Sequence, residues 1–213
     1  TLRLVKESQI GPDPDFVIVT GDMVENRYHM VSPSLEAEEQ EMVWQDILAA
    51  ISRTFPGCQV AAVAGNHEFC TYGTTGSMSK SIADSRLTFT MNTLGYDARQ
   101  IVFTGFRGVP EWRNQWDREY KEKDIAEILE LCDPKADILI THTPAYGLLD
   151  MTRRGVAAGS KALRKSLKNS KVKIHCFGHI HEAAGTQTFY RNKKDPGTVC
   201  SNAALGWNWL NLP

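Results

Sequence analysis

Short, almost wholly apolar runs recur along the 213-residue chain, and each ends in a polar tail. The stretches "DFVIVTGD" (15–22), "CQVAAVAGNHE" (58–68), "IVFTGF" (101–106), "DILITHTP" (137–144) and "VKIHCFGHIH" (172–181) have the length and β-branched content of buried strands. Two last strands, near 186–191 and 198–203, flank the turn "KKDPG". Helical patterns lie between. Ser32 reads as an N-cap with Pro33 at the first helical position, and acidic residues follow where they suit a helix N-terminus. Val43, Ile47, Ile51 and Phe55 mark an apolar stripe that Pro56-Gly57 stops. Further helices are predicted around 79–94, closed by Gly95, over 121–132 with Ile125, Ile128, Leu129 and Cys132 on one face, and near 160–169. Strands separated by helices predict an α/β sheet protein, in which ligands gather beyond the carboxyl ends of strands.

Composition narrows the class. The apolar fraction of 42% and charged fraction of 23% are those of an ordinary globular chain, large enough to bury its own core. Residues 1–213 are read as one domain, incomplete at its N-terminus, because the chain opens on "TLRLVKES" without an initiator Met. A net charge of −1 argues against a broad nucleic-acid or anionic-membrane footprint. Five scattered cysteines without CxxC spacing favour reduced thiols and a cytoplasmic setting. No run has the length of a membrane span.

The strand ends carry the candidate chemistry: Asp22, Asn66, His67, His142, His179 and His181. One carboxylate, one amide oxygen and imidazoles make a mixed oxygen/nitrogen set suited to Mn, Fe, Zn or Co. Any of these fragments occurs by chance; all of them in order, each closing a strand, do not. Gly21, Gly65 and Gly178 let the backbone turn tightly beside them.

With "GD" (21–22), "GNHE" (65–68), the histidine of "THTP" (His142) and "GHIH" (178–181), the sequence resembles the calcineurin-like metallophosphoesterase superfamily over nearly its whole length. "ILITHTPAYG" and "FGHIHEAAG" are most similar to the branch of brain-type metallophosphodiesterases and class III cyclic-nucleotide phosphodiesterases. The resemblance implies a four-layer αββα sandwich with two divalent metal ions between the sheets. Asp22 would bridge them, Asn66, His142 and His179 would complete one site, and His181 would serve the other. His67 would be no ligand but would lie next to the metals, placed to protonate the departing oxygen or to stabilise the transition state. Two such ions, roughly 3.5–4 Å apart, acidify a water and offset the charge of an in-line phosphoryl displacement.

The family pattern also has an Asp-x-His on a strand upstream of "GD", and no such pair precedes Asp22 here. The first strand is therefore expected to be missing, one metal site complete and the second half built. The expected function is metal-dependent hydrolysis of a small phosphodiester, a nucleotide among the candidates. The alternatives are a non-catalytic metal-binding relative and a nuclease. Glu25 stands where purple acid phosphatases carry a tyrosine, and Arg27 is either a phosphate contact or an exposed loop residue. Trp112, Trp116 and Tyr120 recur at helical spacing, as packing or as the roof of a pocket. Cys70 is read as incidental; His29 and His175 fit no motif, and are read as surface and strand residues.

Overall fold

The computed structural model describes residues 14–24, 32–70, 79–83, 87–94, 98–113, 116 and 118–212. Strands β1 (Phe16–Val19), β2 (Gln59–Val63) and β3 (Ser79–Ile82) form a parallel three-stranded sheet in that order. The second sheet has six strands. It contains β4 (Thr88–Asn92), β5 (Gln100–Phe106), β8 (Ile138–Thr141), β9 (Ile174–Phe177), β10 (Gly185–Phe189) and β11 (Thr198–Asn202), in the order β10-β11-β9-β8-β5-β4. Its four inner strands are parallel and its two edge strands antiparallel. Strands β6 (Val109–Pro110) and β7 (Glu119–Tyr120) form a small separate ladder. The helices are α1 (Pro33–Thr54), α2 (Glu122–Leu131) and α3 (Lys161–Asn169).

Strand alternation explains the layering. Val17, Val19, Val60 and Ala62 point to one side of the small sheet, where they meet Trp44, Ile47, Ile51 and Phe55 of α1 and its end. Their neighbours Phe16, Ile18, Ala61 and Val63 point the other way, against Ile138, Ile140, Ile174 and Cys176 of the large sheet. Leu139 and Phe177 then face outward onto Ile125 and Leu129 of α2 and Leu163 and Leu167 of α3. The order helix, sheet, sheet, helices is the four-layer sandwich expected above. The central strands β2, β8 and β9 are covered on both faces, which is why they read as continuous apolar runs.

Two expectations about elements are corrected. The described residues of 79–94 are not helical; they supply β3 and β4. "TFTMN" alternates in burial, with Phe89 and Met91 entering the inter-sheet core, and Lys80 Nζ donates to the Thr90 carbonyl at 2.6 Å. Period-two burial of β-branched and aromatic residues outweighs the loose helical pattern there. On α1 the buried stripe runs through Glu36, Gln40, Trp44, Ile47 and Ile51, while Val43 is 41% exposed. Ile47, Ile51 and Phe55 are buried as the predicted stripe has them; Val43 is replaced on that face by Trp44, and the stripe read from apolar residues alone missed the buried polar pair. Ser32 does cap α1, its hydroxyl accepting from Leu35 N at 3.4 Å.

Among the described residues, β1 pairs with β2 alone, so its other edge faces a cleft between the sheets. No helix of the described residues is long and apolar enough to cross a membrane. All five cysteines are free and buried; Cys70 packs in the core beneath α1. Arg27 and His29, like Glu25, lie outside the described residues.

Candidate metal centre

The carboxyl ends of β1 and β2 meet those of β8 and β9 across the sandwich, and the polar tails of four strands converge there. Asp22 follows β1, Asn66 follows β2, His142 follows β8 and His179 follows β9. Asp22 and His179 sit in the left-handed region, at φ 53° and 67°. Such backbone costs a non-glycine residue about 1–3 kcal/mol and persists only where the surroundings enforce it.

The enforcing contacts are specific. Gly21, at φ 92°, and Gly65 approach each other so closely that a Cβ on Gly21 would strike the Gly65 backbone and the His142 ring. A Cβ on Gly65 would land on the Asp22 carboxylate and, at 2.7 Å, on His142 Cε1. Glu68, fully buried, accepts from Gly65 N at 2.5 Å and from Met23 N at 2.7 Å, tying the two loops together. Gln40 reaches down from α1, donating to the His67 carbonyl at 3.0 Å and accepting from Phe69 N at 2.7 Å. Neither Glu68 nor Gln40 was nominated from sequence. Glu68 stands inside "GNHE", but its burial follows from loop closure and is not readable from the sequence.

His142 is the centre of the cluster and is fully buried. Its Nδ1–H donates to the Thr20 carbonyl at 2.7 Å, which leaves Nε2 facing inward. Nε2 lies 3.0 Å from Asn66 Oδ1 and 3.1 Å from Asp22 Oδ2. With Nδ1 as donor, a neutral His142 presents a lone pair to two oxygens that also carry lone pairs. A cation among them, either a second imidazole proton or a metal ion, relieves this contact of three acceptors. Asp22, His142 and His179 each place one ligand atom within 4.8 Å of the others. The donor set and the acceptor-against-acceptor geometry fit a divalent metal of the borderline class.

Electrostatics agree. Burial opposes the Asp22 charge, but the adjacent His142 and His67 imidazoles more than offset it and hold the carboxyl below its usual range. Burial disfavours a charged His142, yet the Asp22 carboxylate and its hydrogen bonds leave it raised. Burial, with His142 beside it, pushes His179 down to about 3, so at neutral pH its ring is neutral with a free lone pair. Asp22 divides its oxygens: Oδ1 accepts from His67 N at 3.1 Å while Oδ2 faces the cluster.

His181 is exposed in the single 3-10 turn His181–Ala183 and lines the same cleft as Asp22 and His179, outside the tight cluster. The cleft, about 550 Å³, runs from these three along the β1 edge to Trp207 and Trp209, which meet Phe55 edge-on. His67 is half-buried, and its ring lies on Trp116 with centroids 5.0 Å apart and 16° between planes. Trp112, Trp116 and Tyr120 share no helix: Tyr120 is in β7 and the two tryptophans lie in the preceding loop.

His175, read from sequence as a strand residue, supports the centre from behind. Its Nε2–H donates to Thr141 Oγ1 at 2.8 Å, whose hydroxyl donates to the Thr143 carbonyl at 2.6 Å, bracketing His142 on both sides. Burial alone pushes its imidazole down to about 3.

A model of the calcineurin-like phosphoesterase family matches residues 1–183, and the chain belongs to that family. Two Caenorhabditis elegans proteins are similar: UPF0046 protein T07D4.2, 43% identical over 53 residues, and UPF0046 protein K07C11.7, 26% identical over 191 residues. These alignments cover 24% and 82% of this chain, and 13% and 59% of those proteins, so the chain spans less than two thirds of either. One solved crystal structure superposes with a TM-score of 0.58 at 15% identity, covering 95% of this chain and 83% of its own. TT1561 of Thermus thermophilus superposes with a TM-score of 0.51 at 10% identity, covering 95% and 80%. At such identities these two likenesses speak for the fold.

Two outcomes follow from this geometry. Gly65→Ala should weaken Mn²⁺ binding by on the order of 10–100-fold, as lost support for metal ligands does. Isothermal titration reads this, and unchanged affinity would show that Asp22 and His142 yield to a methyl group. For His175, the unfolded chain takes up a proton near pH 6.5 while the folded chain resists until about 3. The stability it contributes is whole above about pH 6.5 and is lost towards pH 3, at up to about 1.4 kcal/mol per unit. Urea unfolding at pH 7 and 4.5 should show a smaller acid loss for His175→Gln than for the unaltered chain; equal losses would contradict the buried neutral state.

Proposed function

We propose that the protein hydrolyses a small phosphodiester, with Asp22, Asn66, His142 and His179 holding a divalent ion and His67 acting as general acid. The observation that carries this reading is the convergence of Asn66 Oδ1 and Asp22 Oδ2 on His142 Nε2, at 3.0 and 3.1 Å from it, with Asn66 next in sequence to His67. A divalent ion bound there supplies Lewis acidity towards water and phosphate oxygen. The remaining work falls to the chain. One carboxylate among neutral donors keeps the centre attractive to an anionic ester. His67, which the Asp22 contact holds at its backbone, offers a proton to the departing alkoxide, a contribution of typically about 10²–10⁴-fold.

A diester is favoured over a monoester by charge. Apart from the histidines, Arg99 is the one basic side chain lining the cleft among the described residues, and one of its nitrogens already donates to the Leu212 carbonyl. That suits one negative charge better than two. Long nucleic acid is disfavoured for the same reason, since strand-tracking grooves are strongly basic. A second ion would draw on Asp22 and His181 and needs further ligands.

Mn²⁺-loaded protein should turn over bis-p-nitrophenyl phosphate faster than p-nitrophenyl phosphate and lose activity with chelator. Metal binding without turnover of any ester would favour the non-catalytic relative, and cleavage of single-stranded oligonucleotides the nuclease. His67→Ala should lower kcat by about 10²-fold or more on alkyl esters, and much less on p-nitrophenyl esters, which need little protonation. Its metal content should stay intact; parallel loss of metal and activity would make His67 a ligand instead.

A further inference from the structure

Among the described residues, His67 is fixed at its backbone and not, by any hydrogen bond, at its ring. Its N–H donates to Asp22 Oδ1 at 3.1 Å and its carbonyl accepts from Gln40 Nε2 at 3.0 Å. The second side-chain torsion of histidine is broad, so a clamped backbone leaves the ring plane open. What the plane does meet is the indole of Trp116, stacked at 5.0 Å and 16°. Offset stacking is a preferred arrangement of aromatic rings and fixes a plane without supplying a hydrogen bond.

Trp116 is itself held. Its backbone N–H donates to Glu119 Oε1 at 2.9 Å, and Trp112 N–H donates to the other oxygen of the same carboxylate. Glu119 opens β7, whose pairing with β6 anchors both ends of the loop: Val109 N donates to the Arg118 carbonyl at 3.1 Å and Glu111 N to that of Tyr120 at 2.9 Å. One carboxylate thus folds the loop, the loop seats the indole, and the indole faces the acid.

We propose that Trp116 is a positioning residue that sets the imidazole plane of His67 for protonation of the leaving oxygen. The proposal rests on the reading of His67 as general acid. Misplacement of a reacting group by about 1 Å can cost on the order of 10²-fold, so a loose ring is a kinetic defect even where the fold is sound. The defect should be confined to substrates that need the proton.

The test compares Trp116→Leu and Trp116→Phe in the Mn²⁺-loaded protein. The substrates are adenosine 2′,3′-cyclic phosphate, whose leaving group is a ribose alkoxide, and bis-p-nitrophenyl phosphate. Trp116→Leu should lower kcat on the cyclic nucleotide about tenfold or more, leave the p-nitrophenyl diester within about twofold, and leave metal content unchanged. Trp116→Phe, which restores a flat ring, should recover most of the loss. Independently of turnover, in the protein loaded with diamagnetic Zn²⁺ instead of Mn²⁺, histidine-selective carbon-13 labelling should show the His67 ring proton, identified by its disappearance in His67→Gln, shifted upfield by the indole. Trp116→Leu should abolish that shift. Equal losses on the two substrates, or an unmoved His67 resonance, would overturn the proposal. Should the unaltered protein hydrolyse neither ester, the phosphodiesterase reading falls with the kinetic half, while the resonance still decides whether Trp116 holds the ring.

Discussion

The hydrogen bond from His142 Nδ1 to the Thr20 carbonyl joins the two sheets where both end. It is made from a loop of the large sheet to the last residue before the β1 turn of the small one, and it is fully buried. Donation through Nδ1 dictates which nitrogen is left for chemistry. Nε2 must then face Asn66 and Asp22, and the acceptors gathered there create a demand for positive charge. Hydrogen bonding at one ring nitrogen of a metal-binding histidine orients the other in this way. Bracketing by Thr141 and Thr143, with His175 behind them, keeps the loop from rotating out of that position.

The rest of the sandwich serves this approach. Two sheets normally pack about 10 Å apart, and a side chain from one can donate to a backbone carbonyl of the other only where both strands have ended and bulk is absent. Gly21 and Gly65 remove that bulk, since a Cβ at either would occupy the space of the His142 ring. Glu68 and Gln40 then replace the hydrogen bonds that the two loops can no longer make along a strand. The left-handed backbone at Asp22 and His179 is the strain this convergence carries.

Much of this was legible in the sequence. Buried strands announce themselves as apolar runs, and their polar ends fall on one edge of the fold whatever the loop details, so Asp22, Asn66, His142 and His179 could be named together. The resemblance extended that reading to the sandwich. Features set by loop closure were not legible. Trp112, Trp116 and Tyr120 show helical spacing, yet the Glu119 carboxylate closes the segment into a loop, and only the closed loop brings Trp116 onto His67. His175 was one histidine in a strand until the fold placed Thr141 beside it. The helix predicted over 79–94 failed because burial in a sheet follows neighbours distant in sequence, here Phe103 and Ile101 beneath Phe89 and Met91. Val43 was preferred to Trp44 because the helix face is fixed by the sheet it covers, which a local window does not contain.

Anomalous scattering from crystals grown with Mn²⁺ and without chelator tests the central claim most directly. The account predicts a peak within coordination distance of Asp22 Oδ2, Asn66 Oδ1, His142 Nε2 and a ring nitrogen of His179, with the Thr20 hydrogen bond to His142 Nδ1 retained. An ion bound elsewhere with these four residues unligated, or a His142 ring turned so that Nδ1 leaves Thr20, would contradict it.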